Sequence, residues 1–392
     1  MKLFIFILLQ FSLTGIILSQ NPIDRVLEEI EKNNTTLAAL KKQKEAGMLL
    51  NKTGIYLQNP EFDYAWFAGS PADMGNKTGV SLRQPFDFPT TYIHRGRIAQ
   101  ARNEQLMPEY EQHRSELLLE ARLLCLEIVF LNALMQEYEI RLQNAQLFTE
   151  AYTRMLQEGE TNVMELNKAK LNHLNLQKEA GDIRIRREAI QNELTGMNGG
   201  IPVILEQNDF IENQGLIADF DLWYNQAENN NPDLEWLRQE EEISNKEIQL
   251  QKARNFPGFN VGYVSELLTH EQFRGFVIGV SIPLWENKNT VKYARARNQA
   301  LISSQENQST RYYHFFKANH ARAVALQEMA EQYSSLLESI NNTELIYQAW
   351  EAGEISLTEY LLELTFYYQS MDKILETELE LHKTIAVLNK YL

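Results

Sequence analysis

The sequence predicts a mainly α-helical protein with a small β part, built as two copies of one helix–β-hairpin–long helix–helix unit. Three observations carry this. A strand opening, GVSLRQPFDF at 79–88, returns as GVSIPLWENK at 279–288 in a neighbourhood that also repeats. Two short segments in each copy alternate apolar and polar residues with a period of two, as half-covered strands do. The long stretches that follow keep apolar residues at helical spacing with little glycine or proline.

The repeat extends well beyond the tetrapeptide. NNTTLAALKKQKEA from Asn33 faces NNPDLEWLRQEEEI from Asn230, and NPEFDYAWFAG from Asn59 faces FPGFNVGYVSE from Phe256, which sets Pro60 against Pro257. ARNEQL from Ala101 answers ARNQAL from Ala296, and EGETNVMEL around Gly159 answers AGEISLTEY around Gly353. The anchors keep their order and nearly their spacing, so the chain reads as an internal duplication. The expected organisation is a leader at 1–19, a first repeat at 20–196, a linker or equatorial segment at 197–228 and a second repeat at 229–392.

Element by element, MKLFIFILLQFSLTGIILSQ has Lys2, then an apolar stretch interrupted by Gln10, Ser12 and Thr14, then Ser19 before Gln20. That is the layout of a secretory signal with cleavage after Ser19; a retained membrane anchor is the alternative. No cysteine follows, which argues against a lipid anchor, and no later run is apolar enough for a membrane helix. Residues 23–54 read as helix through Val26, Leu27, Ile30, Leu37 and Leu40.

Strands follow at 60–69 and 77–88. Phe62, Tyr64, Trp66 and Ala68 share one face; Val80, Leu82, Phe86 and Phe88 share one face, with Ser81, Arg83 and Asp87 on the other. GSPADMGNK between them is rich in turn formers. The second copy gives strands at 257–266 and 273–285 through Phe259, Val261 and Tyr263, then Phe276, Ile278, Val280, Ile282 and Leu284. Long helices are expected at 95–158 and 288–350, closed by Gly159 and Gly353, with helix resuming to Met197 and to the C-terminus. At the helical rise, residues 95–158 would span roughly 95 Å, which the two shorter helices of a copy would match if stacked end to end. Pro108 should kink the first long helix or delay its start.

The bulk properties exclude several classes. A net charge of −16 leaves no basic excess for nucleic acid. One cysteine, Cys125 in LLCLEIVF, rules out an internal disulfide framework and reads as a small buried apolar residue. The seven histidines are scattered, with His314 and His320 six apart and off one helix face, and there is no Gly-rich phosphate loop or G-x-S-x-G elbow. No enzymatic chemistry, cofactor or metal site is expected.

Helices this long need neighbours to cover their apolar positions, and four strands cannot close a barrel. Three chains would supply twelve strands and a ring of helices, so a homotrimer answers both problems.

The duplicated unit, together with the NNP-D-L opening (Asn230, Asn231, Pro232, Leu234), Pro257 before a strand, GVSIPLWE leading into ARARNQA, and the G-E-I-S-x-x-E-Y turn at Gly353, resembles the TolC-type outer-membrane efflux family over essentially the whole mature chain. GVSLRQPFDFP followed by His94, Arg95 and Arg97 is most similar to its heavy-metal (RND) efflux branch. The resemblance implies a trimeric twelve-stranded transmembrane β-barrel continued by an α-helical coiled-coil tunnel in the periplasm. It also implies a passive conduit in the Gram-negative outer membrane that meets a periplasmic adaptor (membrane fusion) protein and, through it, an inner-membrane pump.

On that reading Phe62, Tyr64, Trp66, Val80, Leu82, Phe276, Ile278, Val280 and Ile282 would face lipid, and Asp63, Arg83, Asp87, Asn260 and Glu266 the lumen. Tyr64, Trp66 and Trp285 would be interfacial anchors. The turns at Gly159 and Gly353, with Val163 and Leu357, would dock the adaptor. Glu165 and Glu359, each six residues after its glycine, would form a periplasmic gate whose crowded carboxylates attract cations and raise some pKa values. Their other reading is a solvated carboxylate at a helix start. Ile355 stands where family gates carry an arginine, and Leu362 where a second acid is common. A type I protein-secretion conduit and a non-channel periplasmic coiled-coil scaffold are the alternatives.

Overall fold

A computed structural model describes residues 21–71, 75–210, 219–339 and 343–391. The expected leader and residues 211–218 of the expected linker lie outside them. The chain divides into two compact units: Met1–Asn34, Glu120–Gly215 and Gln332–His382 form the first, and Thr35–Leu119, Leu216–Glu331 and Lys383–Leu392 the second.

The element order repeats as expected. The first copy runs α1 (Pro22–Asn33), α2 (Thr35–Leu50), β1 (Glu61–Phe67), β2 (Lys77–Phe86), α3 (Pro89–Glu158) and α4 (Val163–Met197). The second runs α5 (Phe220–Asn230), α6 (Pro232–Ala253), β3 (Gly258–Leu267), β4 (Gln272–Ser281), α7 (Thr290–Ser339), α8 (Thr343–Glu351) and α9 (Leu357–Leu388), ending in a 3₁₀ turn at Asn389–Tyr391.

Three details differ from the sequence reading. The helix expected over 23–54 is two helices, because Asn34 leaves the helical region at φ −64°, ψ 121°. Its amide closes α1 on Ile30 O at 2.8 Å while its side chain donates to Met197 O at 2.7 Å. The equivalent Asn231 instead caps the start of α6: its carboxamide oxygen accepts from the amides of Asp233 at 2.9 Å and Leu234 at 3.4 Å, and Pro232 sits in the first turn, where its missing N–H is not needed. Both asparagines are buried, and so is the leucine three positions after each, Leu37 and Leu234. Second, α3 begins at Pro89, so Pro108 lies inside it and does not delay its start. Third, the second long helix is described as α7 and α8, on either side of residues 340–342.

In the second unit the four strands make one antiparallel sheet in the order β1-β2-β3-β4. Ile98 and Ala101 of α3 pack with Ile243 of α6. Near the start of α6, the Asp233 carboxylate receives the hydroxyls of Tyr312 and, at 2.8 Å, Tyr391, binding α7 and the C-terminal turn to it. In the first unit, Val203 and Leu205 are buried, and Asn132 of α3 donates to the carbonyls of Leu205 at 3.0 Å and Gln207 at 2.8 Å. The non-helical start of the 197–228 segment is thereby strapped to α3. Cys125 is fully buried, and that burial pushes its thiol up to about 12.

Candidate functional site

The strand register decides which side chains share a face. Phe62 pairs with Leu82 and Tyr64 with Val80; Leu82 pairs with Tyr263; Tyr263 pairs with Phe276, Val261 with Ile278 and Phe259 with Val280. Cross-strand partners lie on the same side of a sheet. Eight of the nine side chains expected to face lipid are therefore assembled on one face of four hydrogen-bonded strands. The ninth, Ile282, lies one residue past β4, and Pro283, which has no N–H to donate, follows it. The face is uncovered: Phe276 is 84% exposed, Ile278 77% and Phe62 67%.

The opposite face is mixed: Phe67, Val264, Phe273 and Val277 share it with small and polar residues. It carries Asp63, Ser81, Arg83, Asn260 and Glu266, along with Gly79, Gly258, Gly262, Gly275 and Gly279. Ser81 donates to Asp63 at 2.9 Å, and Lys77 pairs with Glu266 at 2.7 Å. One of the glycines is sterically required. A Cβ on Gly262 would stand 2.8 Å from the backbone oxygen of Leu82, whereas one on Gly279 would meet only the movable Asn260 carboxamide and Gly275 has open space.

The second set of expected site residues gathers at two turns of the first unit. Gly159 (φ 79°) and Gly353 (φ 74°) are the left-handed residues that end α3 and α8. After each, the next amide reaches back across the turn, Glu160 to Met155 O at 2.8 Å and Glu354 to Ala349 O at 2.9 Å, which satisfies carbonyls the helix end would leave open. Val163 is exposed. Leu357 is buried, in a cluster with Phe148, Tyr152, Leu166, Tyr360 and Leu364, against which Ile355 and Trp350 pack.

Both glutamates open helices. Glu165 sits in the first turn of α4, capped by Asn162, and pairs with Lys168 at 2.9 Å; Lys168 also reaches the hydroxyl of Thr358 at 2.9 Å, so the two turns are bridged beside Glu359. Glu359 closes a capping box: it accepts the Ser356 amide at 2.8 Å, and its own amide donates to the Ser356 hydroxyl at 3.3 Å. These Ser356 contacts hold the Glu359 carboxyl below its ordinary value. Both glutamates therefore act as helix starters within the chain.

One polar site in this unit escaped the sequence reading. Arg141 of α3, its side chain 2% exposed, forms a two-pronged pair with Asp372 of α9 at 2.7 and 3.1 Å. Its guanidinium lies over the rings of Tyr138 at 4.6 Å and Tyr368 at 4.5 Å. Tyr138 in turn donates to Glu179 of α4 at 3.0 Å. Burial opposes the Arg141 charge, but Asp372 outweighs it and keeps the pKa above its usual value. Burial, followed by the charges of Asp372 and Glu179, pushes the Tyr138 phenol up to about 12. Nothing in the local sequence marks Arg141 among the other charged residues of α3.

Compared by sequence, no protein-family model and no curated protein matches the chain. Compared by structure, it is similar to several membrane channels. CusC, solved in a study of folding and transmembrane channel formation, matches at TM-score 0.76 and 16% identity over 95% of this chain and 92% of its own. The CmeC outer-membrane channel of Campylobacter jejuni matches at 0.75 and 13% identity, over 95% and 85%. The MtrE outer-membrane channel of Neisseria gonorrhoeae, in its open state, matches at 0.73 and 14% identity, over 94% and 88%. At such low identity the likeness lies in the arrangement of elements, and that arrangement is the TolC-type channel fold.

Proposed function

We propose that three copies of this chain form a passive conduit in the outer membrane of a Gram-negative cell, the exit duct of a tripartite efflux system. The observation that carries the reading is the open, two-faced sheet. β1 and β4 are its edges, each with a row of backbone groups unpaired among the described residues. The apolar face leaves eight of the nine named side chains, from Phe62 to Ile282, more than half exposed. At about 1.5–3 kcal/mol per fully covered side chain, lipid on that face is worth on the order of 10 kcal/mol, as much as the net stability of a typical domain. Three sheets joined edge to edge would remove the open edges, place this face toward lipid and turn Asp63, Arg83, Asn260 and Glu266 toward water. CmeC and MtrE, which share the fold, are outer-membrane channels.

In this reading the turns at Gly159 and Gly353 dock a periplasmic adaptor, with Val163 on the surface and Leu357 supporting it from below. Glu165 and Glu359 ring the narrow end as the gate. The cargo is a small molecule or metal ion delivered by an inner-membrane pump, and no step needs a catalytic group. The test is planar-bilayer conductance of the detergent-extracted protein, with its mass in detergent read by light scattering. Discrete conductance steps from a particle of three chains are expected. A monomer that stays in water and never inserts would overturn the proposal.

A further inference from the structure

The chain carries a net charge of −16, yet one cleft of its second unit has the opposite sign. The cleft, about 920 Å³, opens at the sheet-proximal ends of the helices. Arg95 and Arg102 reach it from α3, Arg254 from the end of α6, Lys288 from the turn before α7, and Arg297 from α7 itself. The carboxylates around it are fewer. Glu247 receives Arg102 and Arg297, each at 2.9 Å; Glu240 gives Arg297 a second contact at 3.2 Å; Asp87 holds Arg95 at 2.7 Å. Five cations thus meet three carboxylates, and Arg254 and Lys288 form no ion pair among the described residues.

The backbone holds these two groups in place. Asn287 donates its side-chain amide to Arg254 O at 2.7 Å, tying the end of α6 to the turn that carries Lys288. Asn289, beside Lys288, takes a left-handed φ of 67°, and α7 starts at the next residue. Asn289 and Thr290 line the cleft, so the positive end of the α7 dipole adds to the fixed charges. Guanidinium forks match two oxygens of an oxyanion at once, and a lysine adds a compact charge, a combination suited to phosphate. The volume suits a ligand larger than a single small ion.

We infer that this cleft binds a phosphate-bearing anion, with Arg254 and Lys288 as its unneutralised contacts. The same chemistry is offered by a soluble phosphate compound and by the phosphodiester of a lipid headgroup. Every contributing residue belongs to one chain, so the site does not depend on the conduit reading.

The test uses the full chain purified in a neutral detergent. Pyrophosphate is titrated calorimetrically at low and high salt. Separately, protein extracted from phosphatidylcholine vesicles containing phosphatidylglycerol is weighed by native mass spectrometry for retained lipid. The variants are R254Q/K288Q, the charge-conserving R254K/K288R, and a distant control of equal charge loss, K42Q/K178Q. Pyrophosphate binding that weakens about tenfold or more in R254Q/K288Q (1.4 kcal/mol), weakens with salt, and persists in the other two variants is expected if the source is soluble. Retained phosphatidylglycerol that only R254Q/K288Q loses identifies the lipid source. No binding of either probe, or equal loss in the distant control, would overturn the inference.

Discussion

Replacing Asp372 by alanine leaves a charged guanidinium enclosed between two tyrosine rings without its paired carboxylate. Arg141 is nearly inaccessible, while Asp372 is 29% exposed, so water can enter at one side once the carboxylate is gone. Removing one partner of a buried pair costs about 3–5 kcal/mol; the partial access places this case near the lower end, about 3 kcal/mol. What remains to Arg141 does not replace the lost pair. Its bond to Tyr368 O is long at 3.4 Å, and its Nε has no partner among the described residues. Because α3 and α9 meet here, the loss should appear as local opening. Hydrogen exchange of peptides spanning 137–145 and 366–376, followed by mass spectrometry, is the assay. Every 1.4 kcal/mol is tenfold, so protected amides in both peptides should exchange roughly a hundredfold faster in Asp372→Ala. The double variant Arg141→Met/Asp372→Leu removes both charges and should recover most of the protection. Unchanged exchange in the single variant would refute the argument, since stacking between Tyr138 and Tyr368 would then suffice to hold the charge.

Three further predictions follow from geometry already described. Glu165→Gln combined with Glu359→Gln should lower the cation selectivity read from reversal potentials across a bilayer; unchanged selectivity would remove both residues from the gate and leave them as helix starters. Gly262→Ala should destabilise the sheet by about 1–3 kcal/mol, because its Cβ meets the Leu82 carbonyl, and lower the yield of membrane-inserted protein, whereas Gly275→Ala should be tolerated; equal yields would mean β2 and β3 can move apart. Burial, then hydrogen bonding to Asp233 and its charge, raises Tyr312 from 10.0 to about 12. The folded state therefore favours the protonated phenol. Its contribution is complete below pH 10 and is lost as pH rises towards 12. Alkaline unfolding followed by circular dichroism should be less steep in Tyr312→Phe, and an unchanged slope would show that Tyr312 keeps an ordinary pKa.

Periodicity made the fold legible. Alternation through Phe62, Tyr64 and Trp66 and helical spacing through α3 are properties of single segments, so they survive in the sequence, and the duplication supplied each expectation twice. What periodicity cannot register is a break of one residue. Apolar spacing runs through Asn34 undisturbed, although its amide closes α1 on Ile30 O. The paired turns were equally readable, since glycine at 159 and 353 permits the left-handed conformation and S-x-x-E at 356–359 spells a capping box.

The chemistry of contact was not readable. Arg141 and Asp372 are 231 positions apart, and Arg254 reaches the cleft of Arg95 from the other repeat. A charged residue in a long amphipathic helix looks the same whether it faces water or a partner, because its burial depends on a second helix folding back over it. The sequence by itself determined the order and type of the main elements and the faces of the strands, through local dihedral preference and hydrophobic spacing. Tertiary structure alone decided which charges are enclosed, which glycine is sterically required and where five cations converge, because those depend on distances between segments remote along the chain.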